Sequence, residues 1–156
     1  MRALHLLALV LWTAPQVHAQ IADRETDPGL TLRTYQVEGH IDRIPALVPD
    51  QTPNRDTKIE TSNVPGPLFG ELPAPIVSHL EGWIIVPEDV NVQFRLTSDD
   101  GSRLSLDGKV WITHDGPHGA TSKDGAFEAL SAGAHELFVE HFDSGGARSL
   151  RLEWRA

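Results

Sequence analysis

Alternating apolar and polar residues mark several short stretches of the chain, most clearly in its second half. In 92–97, Val92, Phe94 and Leu96 are separated by polar residues, which is the pattern of a strand with one buried and one wet face. Similar β-rich runs predict further strands at 30–37, 80–86, 104–106, 109–112, 127–130, 137–142 and 149–154.

Turn residues separate these runs, and Asp107-Gly108 is a strong hairpin signal between 104–106 and 109–112. No stretch after the N-terminal segment has the periodicity of a substantial helix. The pattern therefore predicts an all-β domain, an antiparallel β-sandwich, over residues 30–156.

The segment 40–72 departs from this pattern. It contains five prolines and few apolar runs, so we expect irregular backbone with one strand near 58–61. We expect this segment and the loop 113–124 to border a binding site and to set its specificity.

The N-terminus has the layout of a secretory signal peptide over residues 1–19. Arg2 precedes an apolar run over 3–12, and the segment ends in Val17-His18-Ala19. The run is shorter than the roughly 20 residues that span a bilayer. Residues 20–29 form a polar leader, and we expect a secreted or otherwise extracytoplasmic protein (periplasm or cell surface).

Composition narrows the choice of partners. The chain has no cysteine, which excludes disulfides and thiolate metal sites. A formal net charge of −9 argues against nucleic acid and anionic membranes, and favours cations and neutral ligands.

Two adjacent acids, Asp99 and Asp100, stand where a predicted strand turns into a loop at Gly101. Neighbouring carboxylates repel each other, so they either share a cation or are freely solvated in an ordinary acidic turn. The residues alone leave both interpretations open.

The surrounding residues resemble the protective-antigen domain family (PA-14), over about residues 30–156 and most closely from 80 onward. The resemblance lies in Leu80-Glu81-Gly82-Trp83, Val86-Pro87-Glu88-Asp89, Phe94 to Leu104, Leu106-Asp107-Gly108, His114-Asp115-Gly116, Gly133-Ala134-His135, Val139-Glu140-His141-Phe142 and Leu150 to Trp154. Residues 32–41 are also similar, more weakly, to segments of large exported bacterial proteins that precede dehydrogenase-like or haem-binding regions.

This resemblance implies a β-sandwich that binds glycans in many members, with calcium (Ca²⁺) as a cofactor. Asp99 and Asp100 match a pair that holds the ion across a cis peptide bond, while sugar hydroxyls complete its coordination. The loop that begins Asp143-Ser144-Gly145 matches the segment that supplies further ligands. His118 and Phe142 are then expected to contact the glycan beside Asp99, Asp100 and Asp143.

The remaining histidines and tryptophans have simpler interpretations. His135 and His141 lie six apart on one predicted strand, so both point the same way, and we expect surface or cross-strand positions. His114 and His118 flank a Gly-Pro turn and are expected to bond to their own loop. Trp83, Trp111 and Trp154 lie in apolar strands, which favours core packing over sugar stacking.

No enzyme motif is present in the sequence. Serines near the acidic pair lack a nucleophile elbow, and Asp99 and Asp100 are too close in sequence to flank a glycosidic bond. The leading hypothesis is a non-catalytic, calcium-dependent glycan-binding module. The alternatives are a structural or interaction module, and a piece of a larger exported dehydrogenase-like or glycoside-processing enzyme.

Overall fold

A computed structural model describes residues 28–156; the predicted signal peptide and nearly all of the leader lie outside this range. The described residues form eleven strands and one short 3-10 turn at Gly66–Phe69. The strands are β1 (Leu30–Gln36), β2 (Arg55–Ile59), β3 (Asn63–Pro65), β4 (Ile76–Val86), β5 (Val90–Asp99), β6 (Ser102–Leu106), β7 (Lys109–His114), β8 (Thr121–Asp124), β9 (Glu128–Leu130), β10 (Gly133–Asp143) and β11 (Ser149–Arg155).

The strands make two antiparallel sheets that pack face to face. One sheet has six strands in the order β2-β1-β4-β10-β6-β7, and the other has the order β3-β11-β5-β8, with β9 pairing to one end of β5. Apolar residues from both inner faces form one core, which includes Leu32, Leu80, Phe94, Val139 and Leu150. The predicted antiparallel β-sandwich is confirmed.

The largest differences from the predicted strands occur where the sequence is polar. Strand β8 lies inside the loop predicted at 113–124, and all four of its residues are exposed. It forms because its backbone pairs with β5, a signal that side-chain periodicity does not carry. Likewise, the segment 40–72 contains β2 and β3 rather than one strand at 58–61.

The tryptophan prediction is wrong for two of three residues. Trp83 lies on the outer side of β4 and is 53% exposed, while Trp154 lies near the end of β11 and is 56% exposed. Trp111 is partly buried and packs edge-on against Phe94, with ring centroids 5.5 Å apart.

The described residues contain no helix long and apolar enough to cross a membrane.

Candidate functional site

Asp99 ends β5 at one rim of the sandwich, and a cis peptide bond joins it to Asp100, the first residue after the strand. Three hydrogen bonds attach this turn to β10. The Asp100 amide donates to the Phe142 carbonyl (3.1 Å), the Phe142 amide donates to Gly101 (3.0 Å), and His141 Nε2 donates to the Asp99 carbonyl (2.8 Å). The acidic pair is therefore positioned by the sheet rather than by a free loop.

The carboxylate of Asp100 connects two loops. Its Oδ1 accepts from the His118 amide at 2.9 Å, and its Oδ2 accepts from the Ser144 amide at 2.8 Å and from the Ser144 hydroxyl at 2.7 Å. Burial by itself would raise the pKa of Asp100, but these donors outweigh it and the pKa falls below its usual value. Asp100 is therefore an ionised, buried bridge between loops 115–120 and 144–148.

Asp99 is the more open of the two acids. Its pKa is raised by burial and then by the neighbouring charge of Asp100, while the Ala120 backbone works in the opposite direction. A carboxylate in this state gains most from an added cation, because a positive charge would offset both effects.

Asp143, predicted as the third carboxylate of the site, has a different environment. Its side chain is fully buried: Oδ2 lies 2.8 Å from the Arg148 guanidinium, and Oδ1 accepts from the Gly145 amide at 3.0 Å. Burial raises the pKa of Asp143 although Arg148 opposes the shift. Arg148 also donates to the Leu72 carbonyl, so this ion pair fastens the loop to the segment before β4.

The oxygen atoms at the rim are of the type that calcium binds, but they do not come from all three of the predicted carboxylates. Asp99, Asp100 and the Ser144 hydroxyl are hard oxygen donors at one place, as Ca²⁺ prefers. However, within residues 28–156 no group of three or more His, Asp or Glu side chains is arranged to hold a metal ion. Ser144, rather than Asp143, is the loop residue whose side chain reaches the acidic pair.

Phe142 does not contact the mouth of the site as predicted, because its side chain is completely buried. A Cβ at Gly101 would lie 2.6 Å from the Phe142 ring and 2.8 Å from the Gly116 amide nitrogen. The ring thus packs beneath the turn, and glycine at 101 allows the three segments to meet.

His118 lies at the rim as predicted, with its amide bound to Asp100. Its ring stacks on His114 with centroids 4.1 Å apart and bonds to the carbonyl oxygens of His114 and Gly119. The two histidines therefore bond within their own loop, as the sequence predicts.

His135 and His141 do point the same way, but the predicted surface positions are wrong. Both are buried, because they share the inner side of β10 with Leu137 and Val139. Burial lowers the pKa of His141 to about 4, so the ring is neutral and packs on Phe69. Leu137 and Val139 are two residues apart on the inner side of β10, and continuing this alternation to His141 would have placed its ring inside the sandwich, next to the acidic pair.

The comparisons with known proteins agree with this fold. A family model for the PA14 domain matches residues 26–156, which is most of the chain.

The chain belongs to the PA14 domain family.

Solved PA14 structures and related sandwiches are similar in backbone but distant in sequence. A PA14 sugar-binding domain from an RTX adhesin is 21% identical with a TM-score of 0.69, over 82% of this chain and 89% of that one. A β-glucosidase from Kluyveromyces marxianus is 18% identical with a TM-score of 0.64, over 82% of this chain and 16% of that one. At these identities the likeness to solved structures shows the fold alone.

A third similar structure is a subtype-switched epithelial adhesin A domain from Candida glabrata in complex with β-lactose. It is 8% identical with a TM-score of 0.53, over 83% of this chain and 80% of that one. The search of curated proteins finds no significant match. Some PA14 domains thus bind sugars, and some sit within much longer chains.

Proposed function

We propose that this PA14 domain binds carbohydrate at the rim formed by Asp99, Asp100, His118 and Ser144. The observation that carries the proposal is Asp100, whose one carboxylate holds two loops against a sheet-fastened acidic turn. Because the hydrogen-bonding groups of this rim are already held in place, a polar ligand that binds there loses little free energy to ordering the protein. The sugar-binding adhesin domain of the same fold supports this choice of ligand.

Calcium is part of the proposal, with Asp99 and Asp100 as its carboxylate ligands. Ser144 and the backbone at Gly145 would supply further oxygens, and both Gly145 and Gly146 have positive φ, which lets the loop turn closely around a ligand. When bound, the ion would offer coordination positions to sugar hydroxyls. Asp143 is left out of this set because Arg148 already neutralises it.

We further propose a non-catalytic and exported module. Serines near the acidic pair lack a nucleophile elbow, the sequence has no phosphate-binding glycine loop, and residues 1–19 have the signal-peptide layout. Carbohydrate outside the cytoplasm is the ligand class that fits both expectations.

Isothermal titration calorimetry of the purified protein, after a glycan array has selected a sugar, tests the proposal. Wild type should bind in calcium and lose binding in chelator, while Asp100→Asn should lose binding in both. Glu153→Gln, an exposed acid on β11, is the matched control and should behave as wild type. Glycan binding that is equal in all three proteins would place the ligand elsewhere.

A second candidate, a scaffold without ligand, is favoured by one observation. Three of the four carboxylate oxygens of Asp100 and Asp143 accept hydrogen bonds from the protein, and the fourth, Asp143 Oδ2, lies 2.8 Å from the Arg148 guanidinium. In that case neither calcium nor any glycan on the array would raise the melting temperature of the wild type, since a ligand that binds only the folded state must stabilise it.

A further inference from the structure

The outer faces of the two sheets differ sharply in chemistry. On the five-stranded sheet, the outward residues of β5 and β11 are polar or charged, with cross-strand pairs such as Arg95–Asp124 and Thr97–Ser122. On the six-stranded sheet, Trp83 and Phe138 interrupt the charged residues of the outward face. A solvated face needs no such aromatic residues.

The strand register places Phe138 at the centre of the six-stranded outer face. It lies opposite Glu81 on β4 and opposite Ser105 on β6. The Phe138 ring packs edge-on against the His79 ring, and the two ring centroids are 4.9 Å apart. Trp83 is the next outward residue of β4 after Glu81. It lies opposite Glu136, which is the outward residue of β10 before Phe138.

Two shallow depressions meet on this face. One, of about 480 Å³, includes Trp83, Glu81 and Phe138 in its lining, and the other, of about 540 Å³, includes Arg103 and Phe138. Both linings also include Glu136, so the two depressions lie on either side of the outward β10 residues Glu136 and Phe138.

Most of the charges around these depressions are paired within the protein. Arg33 bonds to Glu81 at 2.5 Å, and Arg103 bonds to Glu140 at 2.6 Å. Opposite charges in contact leave little net field, so the face favours neither a polyanion nor a polycation. What remains for a ligand is apolar surface, with Ile85 and Val110 exposed beside the two aromatic residues, flanked by fixed hydrogen-bonding groups.

We propose that this outer face binds a neutral linear glycan, with Trp83 and Phe138 as the surfaces on which sugar rings stack. Sugar rings combine an apolar face with a rim of hydroxyls, which matches aromatic side chains bordered by carboxylates and guanidinium groups. Neighbouring strands lie about 4.8 Å apart, close to the length of one sugar ring. A glycan chain running across β4 and β10 can therefore meet Trp83 and Phe138 with neighbouring sugar rings.

A protein partner fits this surface less well. The centres of protein interfaces are depleted of charged residues, whereas Glu81, Glu136 and Glu140 lie directly around Phe138. The face is separate from the rim at Asp100 and its occupancy does not depend on the rim's function.

The test is binding of cello-, xylo- and mannohexaose to the purified protein, followed by calorimetry and tryptophan fluorescence. Wild type should bind at least one of them, and Trp83→Ala should weaken that affinity about tenfold. Trp83→Phe should retain most of it. Trp154→Ala, which removes an equally exposed tryptophan of the other sheet, should bind as wild type does. Wild-type binding should also persist in chelator, because the face, unlike the proposed rim site, does not use calcium.

Several outcomes would overturn the inference. No binding of any hexaose by wild type, or equal weakening by Trp83→Ala and Trp154→Ala, would remove the face as a glycan site. Loss of binding in chelator with retention in Trp83→Ala would assign the binding to the rim instead. A concentration-dependent dimer that Trp83→Ala abolishes would show that a second copy covers the face.

Discussion

His141 donates a hydrogen bond from Nε2 to the carbonyl oxygen of Asp99, at 2.8 Å, from a fully buried position. This bond links the central strand of the larger sheet to the end of a strand in the other sheet. The orientation of the acidic turn thus depends on a side chain that no solvent reaches.

Replacing His141 by Phe should destabilise the protein by about 1–3 kcal/mol, because the Asp99 carbonyl loses a buried donor. Urea unfolding measures the change. His79→Phe, a half-buried ring on the outer face of β4, is the control and should cost less. Equal decreases in the unfolding free energy of the two variants would mean that the hydrogen bond to Asp99 does not contribute to stability beyond ring packing.

Arg148→Met should destabilise the protein by about 3–5 kcal/mol, because it leaves the Asp143 carboxylate buried without its cation. The double variant Arg148→Met with Asp143→Asn should recover part of that stability, since the uncompensated charge is gone. A double-mutant cycle from denaturant unfolding checks both values. Strictly additive losses would argue against the ion pair.

Gly101→Ala should destabilise by about 1–3 kcal/mol, because its Cβ would overlap the Phe142 ring and the Gly116 backbone. Gly119→Ala is the matched control, since a Cβ there meets nothing within 4 Å. Thermal melts of the two variants compare them directly. Equal melting temperatures would show that the turn can open to admit a side chain.

Stability should also depend on pH through His135. Its Nδ1 lies 2.7 Å from Asp107 and its Nε2 lies 2.8 Å from the Ser131 carbonyl, so both bonds are complete only in the protonated ring. Burial would lower the pKa of His135, but the hydrogen bonds to Asp107 and Ser131, together with the charge of Asp107, outweigh it and the pKa is raised above 6.5. This contribution is therefore fully present below about pH 6.5 and is lost as the pH rises through the folded pKa.

Denaturant unfolding at a series of pH values, for wild type and His135→Gln, measures that contribution. The difference in unfolding free energy between the two proteins should shrink as the pH rises past 6.5. A constant difference would mean that His135 stabilises only by packing.

The sequence predicts the sandwich well where apolar and polar residues alternate, as around Phe94 and Leu137. It fails for Trp83 because the run 80–86 is too continuous to show which residues face inward. It misses β8 because Thr121–Asp124 has no apolar residue, and backbone pairing with β5 makes the strand.

The sequence correctly predicts that the acidic turn and the loop beginning at Asp143 meet, but not that Ser144, rather than Asp143, contacts Asp100. Asp143 is the last residue of β10 and is buried, whereas Ser144 begins the loop and reaches Asp100. The partner that decides the outcome is Arg148, whose guanidinium reaches Asp143 only in the folded chain.

Asp100 holds both rim loops through one side chain, and this has a consequence for engineering. A designer could exchange residues 115–120 or 144–147 for other sequences, provided that the new loops still present the amide donors now supplied at His118 and Ser144 and that Arg148 is kept as the partner of Asp143. Diversification libraries at this rim should therefore randomise the intervening side chains and keep the loop lengths fixed.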